Sequence, residues 1–252
     1  SSDLFGYVSG DGKLVLREEK LFGVAIDEQK YSNYSSVSGN LVIHDRSGSV
    51  TETAELPGYP VFREGREFLI SSHRAAIAEL VDGEISWKRE YTSVITDFDV
   101  QGRLVAIGLL DSRVQIVDEN GEVTLELDMK GSRINAVYGC ALSDDASRVA
   151  VIHGIDPQNL SIVEVSGQAP EISGYRLETE YRKARYLDFY GNDRYLIIES
   201  NDGLKILDLA DDAEYTIEAS APFVISVKLG SDNLIWAICG DDESYELLVL
   251  DP

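Results

Sequence analysis

The side chains with the most chemical potential in this sequence are three histidines, two cysteines and a large surplus of carboxylates. A metal site built from histidine needs two or more imidazoles at local spacing or on neighbouring turns. His44, His73 and His153 stand far apart in the chain and offer neither. Cys140 and Cys239 are widely separated in apolar runs, where a thiol acts as a small buried hydrophobe. There is no Gly-x-Ser-x-Gly elbow, glycine-rich phosphate loop or zinc-type cysteine spacing. The acidic stretches Ser143-Asp144-Asp145, Asp211-Asp212 and Gly240-Asp241-Asp242-Glu243 invite comparison with calcium loops, but Asp at a hairpin tip ordinarily accepts from its own turn backbone. Asn33-Tyr34-Ser35 and Asn159-Leu160-Ser161 fit the glycosylation sequon at a frequency close to chance. No catalytic constellation, metal site or cofactor is therefore expected. The alternative is a propeller enzyme or small-ligand binder using the central channel, in which Asp97 and Asp99 converge with His73 or His153.

Basic residues are more informative because they are scarce. The chain carries 22 Lys and Arg against 45 Asp and Glu, a formal net charge of −23. Such a field repels phosphate backbones and anionic lipid, so a nucleic-acid partner is not expected. Against it stand Tyr59 in Pro57-Gly58-Tyr59-Pro60, Arg89 and Tyr91 in Lys88-Arg89-Glu90-Tyr91, Lys130 and Arg133 in Lys130-Gly131-Ser132-Arg133, and Tyr181, Arg182, Lys183 and Arg185 in Tyr181-Arg182-Lys183-Ala184-Arg185. Arg and Tyr are enriched at binding hot spots. These nine residues are the candidate partner-binding set, and the expected partner is a protein. The competing reading is that the cations only balance acids such as Glu90, Glu178 and Glu180 in solvated loops.

Whether they share a face depends on the elements that carry them. A pattern of apolar, any, Ile or Val, any, acid recurs as Leu41–Asp45, Ala75–Glu79, Val114–Asp118, Leu160–Glu164, Leu204–Asp208 and Leu247–Asp251, at intervals of about 40 residues. Period-two alternation makes each copy a strand with one buried face, and the acid marks where the chain leaves the core. Glycine-containing turns follow several copies, as at Gly48 and Gly121, and further strands begin at Ile85-Ser86-Trp87 and Val123-Thr124-Leu125. Apolar runs such as Val149–Ile152 and Tyr195–Ile198 precede the copies, with another run before each of those. Four strands per unit, repeated without competing helical periodicity, predict an all-β protein: a single β-propeller of about six four-stranded blades over residues 1–252. The hairpin at Leu4–Glu18 repeats the pattern and leaves seven blades as the alternative. Closure is expected from an N-terminal strand completing the last blade. The loops joining each fourth strand to the next first strand then emerge on one face, and they carry the basic and aromatic candidates.

Gly108–Asp118 resembles the second-to-third-strand segment of a WD repeat, and Ala76–Trp87 resembles the quinoprotein (PQQ-type) repeat ending in tryptophan. The chain is thus similar to the broad propeller-repeat superfamily that these repeats share. It lacks the Gly-His and Trp-Asp dipeptides of WD repeats, and keeps the quinoprotein tryptophan at Trp87 alone. The resemblance implies the fold and carries no quinone or metal site with it. The function it leaves is a non-catalytic interaction scaffold.

No apolar run approaches the ~18 residues of a membrane-spanning helix. A chain that opens Ser1-Ser2 without methionine fits removal of an N-terminal leader or anchor, and the expected setting is extracytoplasmic, at the cell surface, in a periplasm or outside the cell; the alternative is a cytoplasmic protein trimmed at its start, which would look the same.

Overall fold

Each copy of the repeat becomes the third strand of a small antiparallel sheet. The computed structural model describes residues 4–9, 11–35, 39–165, 172–177, 182–183, 185–200, 203–219, 223–229, 234–240 and 245–250. Its contacts divide the chain into two compact units, 1–94 and 95–252.

The first unit opens with a two-stranded sheet, β1 (Leu4–Val8) and β2 (Leu14–Glu19). Two four-stranded sheets follow: β3 (Gly23–Ile26), β4 (Lys30–Tyr34), β5 (Leu41–Asp45) and β6 (Val50–Ala54), then β7 (Tyr59–Arg63), β8 (Arg66–Ile70), β9 (Ala76–Val81) and β10 (Glu84–Glu90). Phe5 and Tyr7 of β1 lie with their ring centroids 5.2 and 6.1 Å from that of Tyr31, whose hydroxyl donates to Glu18 at 2.7 Å. Ala25, Leu41 and Ile43 of one four-stranded sheet pack with Phe62, Leu69 and Leu80 of the next.

The second unit holds three four-stranded sheets and one of three strands. They are β11 (Ile95–Gln101), β12 (Leu104–Leu109), β13 (Arg113–Val117) and β14 (Val123–Asp128); β15 (Ile134–Leu142), β16 (Arg148–Ile155), β17 (Asn159–Glu164) and β18 (Ile172–Arg176); β19 (Leu187–Tyr190), β20 (Tyr195–Ser200), β21 (Gly203–Asp208) and β22 (Ala213–Glu218); and β23 (Phe223–Leu229), β24 (Ile235–Gly240) and β25 (Tyr245–Leu250). Each sheet stacks on the next through aliphatic side chains. Ala106, Val114 and Ile116 meet Val137, Cys140 and Val151; Ile152, Leu160 and Ile162 meet Leu187, Leu196 and Ile198; and Ile197, Leu204 and Ile206 meet Ile235 and Ala237. A fully buried Val, Leu or Ile contributes about 1.5–3 kcal/mol, so these seams hold the unit together. Gly108 permits one close approach: a Cβ there would lie 2.6 Å from Val137 Cγ1.

Three of the acids that end the repeats cap the turns that follow them. Asp45 accepts from the amides of Ser47 and Ser49, Asp118 from those of Asn120 and Glu122, and Asp208 from that of Ala210. Gly48 and Gly121 take the positive φ of these turns, 88° and 76°. Glu79 acts differently: buried inside β9, it accepts from Trp87 Nε1 at 2.5 Å and is clasped by Arg66.

β1 and β2 pair with each other as a two-stranded sheet, and among the described residues the last sheet has three strands. The hairpin's inward positions, Phe5 and Tyr7, carry aromatic rings that dock on Tyr31, which ties it to its sequence neighbour.

Candidate functional site: the connecting loops and the first strands

In the second unit, successive first strands lie side by side, joined by carboxylates from β11. Asp97 Oδ2 accepts from the Cys140 amide at 3.0 Å and Asp99 Oδ2 from the Leu142 amide at 2.8 Å. The backbone of Arg185 in turn donates to the Tyr138 carbonyl at 3.0 Å, bringing the loop before β19 against β15. The loops that enter β15 and β19 thus share one end of the unit.

At that end most of the cations are neutralised by their own surroundings. Lys130 pairs with Asp128 and Arg133 with Asp156, both on the surface. Arg185 is different, because its guanidinium is largely buried and donates to Glu199 Oε1 at 2.6 Å, while Glu199 also accepts from the Tyr186 amide. Arg185 is therefore part of the seam under the loop and is not a surface cation. Arg182 and Lys183 are exposed. Tyr181 lies outside the described residues.

In the first unit, Tyr59 is half-buried, with Phe22 stacked at 6.4 Å and Tyr34 at 5.8 Å between centroids. Arg89 and Tyr91 are half-buried, and the Tyr91 amide donates to the Ala75 carbonyl at 2.8 Å. Their neighbour Lys88 pairs with Glu90 at 2.6 Å.

Asp97 and Asp99 are engaged by backbone amides, and buried His153 shares a 2.9 Å hydrogen bond with Ser161, its basicity lowered by desolvation. His73 is exposed in a turn of the first unit, and His44 stacks on Tyr31 at 4.9 Å. Among the described residues, no group of three or more His, Cys, Asp or Glu is arranged to hold a metal ion. Asp145 instead caps its own turn, where hydrogen bonds from the Ser147 side chain first, then the Ser147 amide and Ser143 Oγ, hold its pKa at about 2. A cleft of about 250 Å³ is lined by Arg148, Glu164, Ile172, Tyr175 and Leu209.

One cluster went unnoticed in the sequence. Asp188 on β19 accepts from Tyr186 Oη at 3.0 Å and from Tyr190 Oη at 3.4 Å, and the two tyrosine hydroxyls are hydrogen-bonded to each other. Burial first, then the charge of Asp99, raises the Asp188 carboxyl to about 7. Its sequence signal is that Asp188-Phe189 repeats the dipeptide Asp97-Phe98 of β11.

No helix among the described residues is long and apolar enough to cross a membrane. Several solved structures share the fold. Hydrazine synthase of Kuenenia stuttgartiensis aligns with a TM-score of 0.70 at 13% identity over 95% of this chain and 87% of that one. Sqt1 of Saccharomyces cerevisiae gives 0.67 at 11% identity over 95% and 75%, and BamB of Moraxella catarrhalis 0.62 at 16% over 98% and 78%. At these identities the likeness is one of fold: an all-β propeller of about six blades. An uncharacterized protein of Treponema pallidum (strain Nichols) is 25% identical over 209 residues, 82% of this chain, and the matched region spans 55% of that relative's length. A family model described as a beta-propeller protein matches residues 1–251, and the chain belongs to that family.

Proposed function

We propose that the protein is a non-catalytic interaction scaffold, a rigid stack of sheets whose connecting loops select a protein partner. The observation that carries this reading is exposure within one set of loops: Arg185 is buried against Glu199, whereas Lys130, Arg133, Arg182 and Lys183 are all solvent-exposed. On a chain of net charge −23, exposed cations offer a local complement to an acidic protein surface. The test is capture of partners from native extract, mass spectrometry to name them, then binding kinetics with a double Arg182→Ala, Lys183→Ala variant. Association should slow and lose salt dependence while the fold stays within ~0.5 kcal/mol of wild type. An unchanged association rate at low salt would remove these loops from the interface.

A second reading, a propeller that binds a small ligand along its first strands, is favoured by Asp188. A buried carboxyl titrating near neutrality between two tyrosine hydroxyls is the kind of group that ligand sites use. Under this reading Asp188→Asn alters ligand affinity and its pH profile, with protein partners still bound; an unaltered profile removes it.

A further inference from the structure

The seam between the sheet β15–β18 and the sheet β19–β22 opens at one end. Along most of its length Ala150, Ile152, Leu160 and Ile162 close on Leu187, Phe189, Leu196 and Ile198. Where β16 begins and β17 ends, a cleft of about 250 Å³ remains, with Ile162, Tyr175 and Leu209 as its apolar lining and Arg148, Glu164 and Ser173 as its polar one. Both sheets belong to the second unit. The volume exceeds the ~150 Å³ of a cavity that takes up benzene and stays below the ~300 Å³ at which drug-sized pockets begin, so it suits a small molecule.

The charges of this cleft are held apart. Arg148 and Glu164 stand directly opposite each other in the pairing of β16 with β17, a position in which opposite charges ordinarily attract. Here the guanidinium is drawn to the other sheet instead: it lies over the Phe189 ring at 5.4 Å and donates from Nη2 to the Asp193 carbonyl at 2.9 Å. Asp193 is itself fixed, since its carboxylate accepts from the amides of Asp144 and Asp145. Among the described residues, the half-buried Glu164 carboxylate has no hydrogen bond or ion pair, and Nε and Nη1 of Arg148 make no hydrogen bond. Cation and anion therefore face one cleft without meeting, beside an apolar lining.

We propose that this cleft binds a free α-amino acid with an apolar side chain: Arg148 receives its carboxylate, Glu164 its ammonium group, and Ile162, Tyr175 and Leu209 its side chain. Both ionic contacts are charge-assisted hydrogen bonds, the strong kind. The field of the whole chain favours a zwitterion over either simple ion. A net charge of −23 opposes a free anion at Arg148, whereas a molecule of zero net charge enters without that penalty. A plain amine would satisfy Glu164 and leave Arg148 unused. None of the lining residues belongs to the β18–β19 loop or to the Asp188 cluster, so the outcome is independent of both functional readings.

The probe is L-leucine, titrated into the full chain by calorimetry and followed by amide chemical shifts. Saturable binding should move the amides of Ile162 to Glu164 and of Ile172 to Tyr175, while those of β11 stay in place. N-acetyl-leucine lacks the ammonium group and leucinamide the carboxylate, and each should bind at least about tenfold more weakly. Glu164→Gln, which keeps the side chain's size, should weaken leucine by about tenfold and leave N-acetyl-leucine unaffected. Ser173→Trp, which fills the cleft from an exposed strand position, should abolish binding and keep the melting temperature. Three results would overturn the proposal: no saturable binding at millimolar leucine, leucinamide or N-acetyl-leucine bound as tightly as leucine, or undiminished leucine affinity in the Glu164→Gln variant.

Discussion

Among single residues, Arg185 separates a structural cation from a surface one. Its guanidinium and the Glu199 carboxylate are both largely withdrawn from solvent. Removing one member of such a pair strands the other charge in the interior, at a cost of about 3–5 kcal/mol. Arg185→Ala should therefore shift the urea midpoint strongly, while the Arg182→Ala, Lys183→Ala double variant leaves it in place; equal midpoints would contradict the burial. Asp188 makes a second prediction at this scale. Burial raises its folded-state pKa to about 7, above the ~4 of an unfolded Asp. Between those values the folded chain keeps a proton that the unfolded chain has released, so this group's stabilising effect is complete below about pH 4 and is lost as pH rises through about 7. Asp188→Asn, neutral throughout, should gain stability relative to wild type across that window, by up to about 4 kcal/mol at 1.36 per pH unit. Paired urea titrations at pH 4 and pH 8 check it, with a constant difference as the contrary result. Asp99, Asp144, Tyr186 and Tyr190 are the charged and titratable neighbours that set the size of the effect.

At the level of elements, the second unit is pinned at two kinds of joint. Asp97 and Asp99 of β11 hold the amides of Cys140 and Leu142 on β15. Losing either carboxylate leaves a buried donor without an acceptor, at about 1–3 kcal/mol each. In a double Asp97→Ala, Asp99→Ala variant, exchange should quicken first at Cys140 and Leu142; if the amides of distant β21 open equally early, these bonds are not the local latch. The other joint is close packing. Gly108→Ala would push a methyl to 2.6 Å from Val137 Cγ1, so the variant should lose about 1–3 kcal/mol in thermal unfolding even though alanine suits a strand no worse than glycine.

For the molecule as a whole, 45 acids against 22 basic residues make self-repulsion a standing cost of compactness. Moderate salt should therefore raise the melting temperature of the wild-type chain, because a Debye length near 10 Å at 0.1 M screens the surface carboxylates. A falling melt would mean that the surface ion pairs, such as Arg133 with Asp156, outweigh the repulsion.

The all-β class, the six repeats and the third strand of each sheet were legible from Leu41–Asp45 to Leu247–Asp251 because period-two alternation and turn chemistry are local properties. Cys140 as a buried hydrophobe and Asp145 as a turn cap were legible for the same reason. The pairing of loop cations was not. Arg185 and Glu199 are brought together only when β20 returns beside the loop before β19, and no local pattern distinguishes Arg185 from exposed Arg182. The tyrosines around Asp188 read as ordinary strand residues until burial raises the carboxyl's pKa, since desolvation belongs to the packed seam. The partner of the N-terminal hairpin was likewise decided in three dimensions, by the docking of Phe5 and Tyr7 on Tyr31. Local alternation encodes which residues form a strand; which strand or sheet lies beside it depends on long-range contacts that one sequence does not spell out.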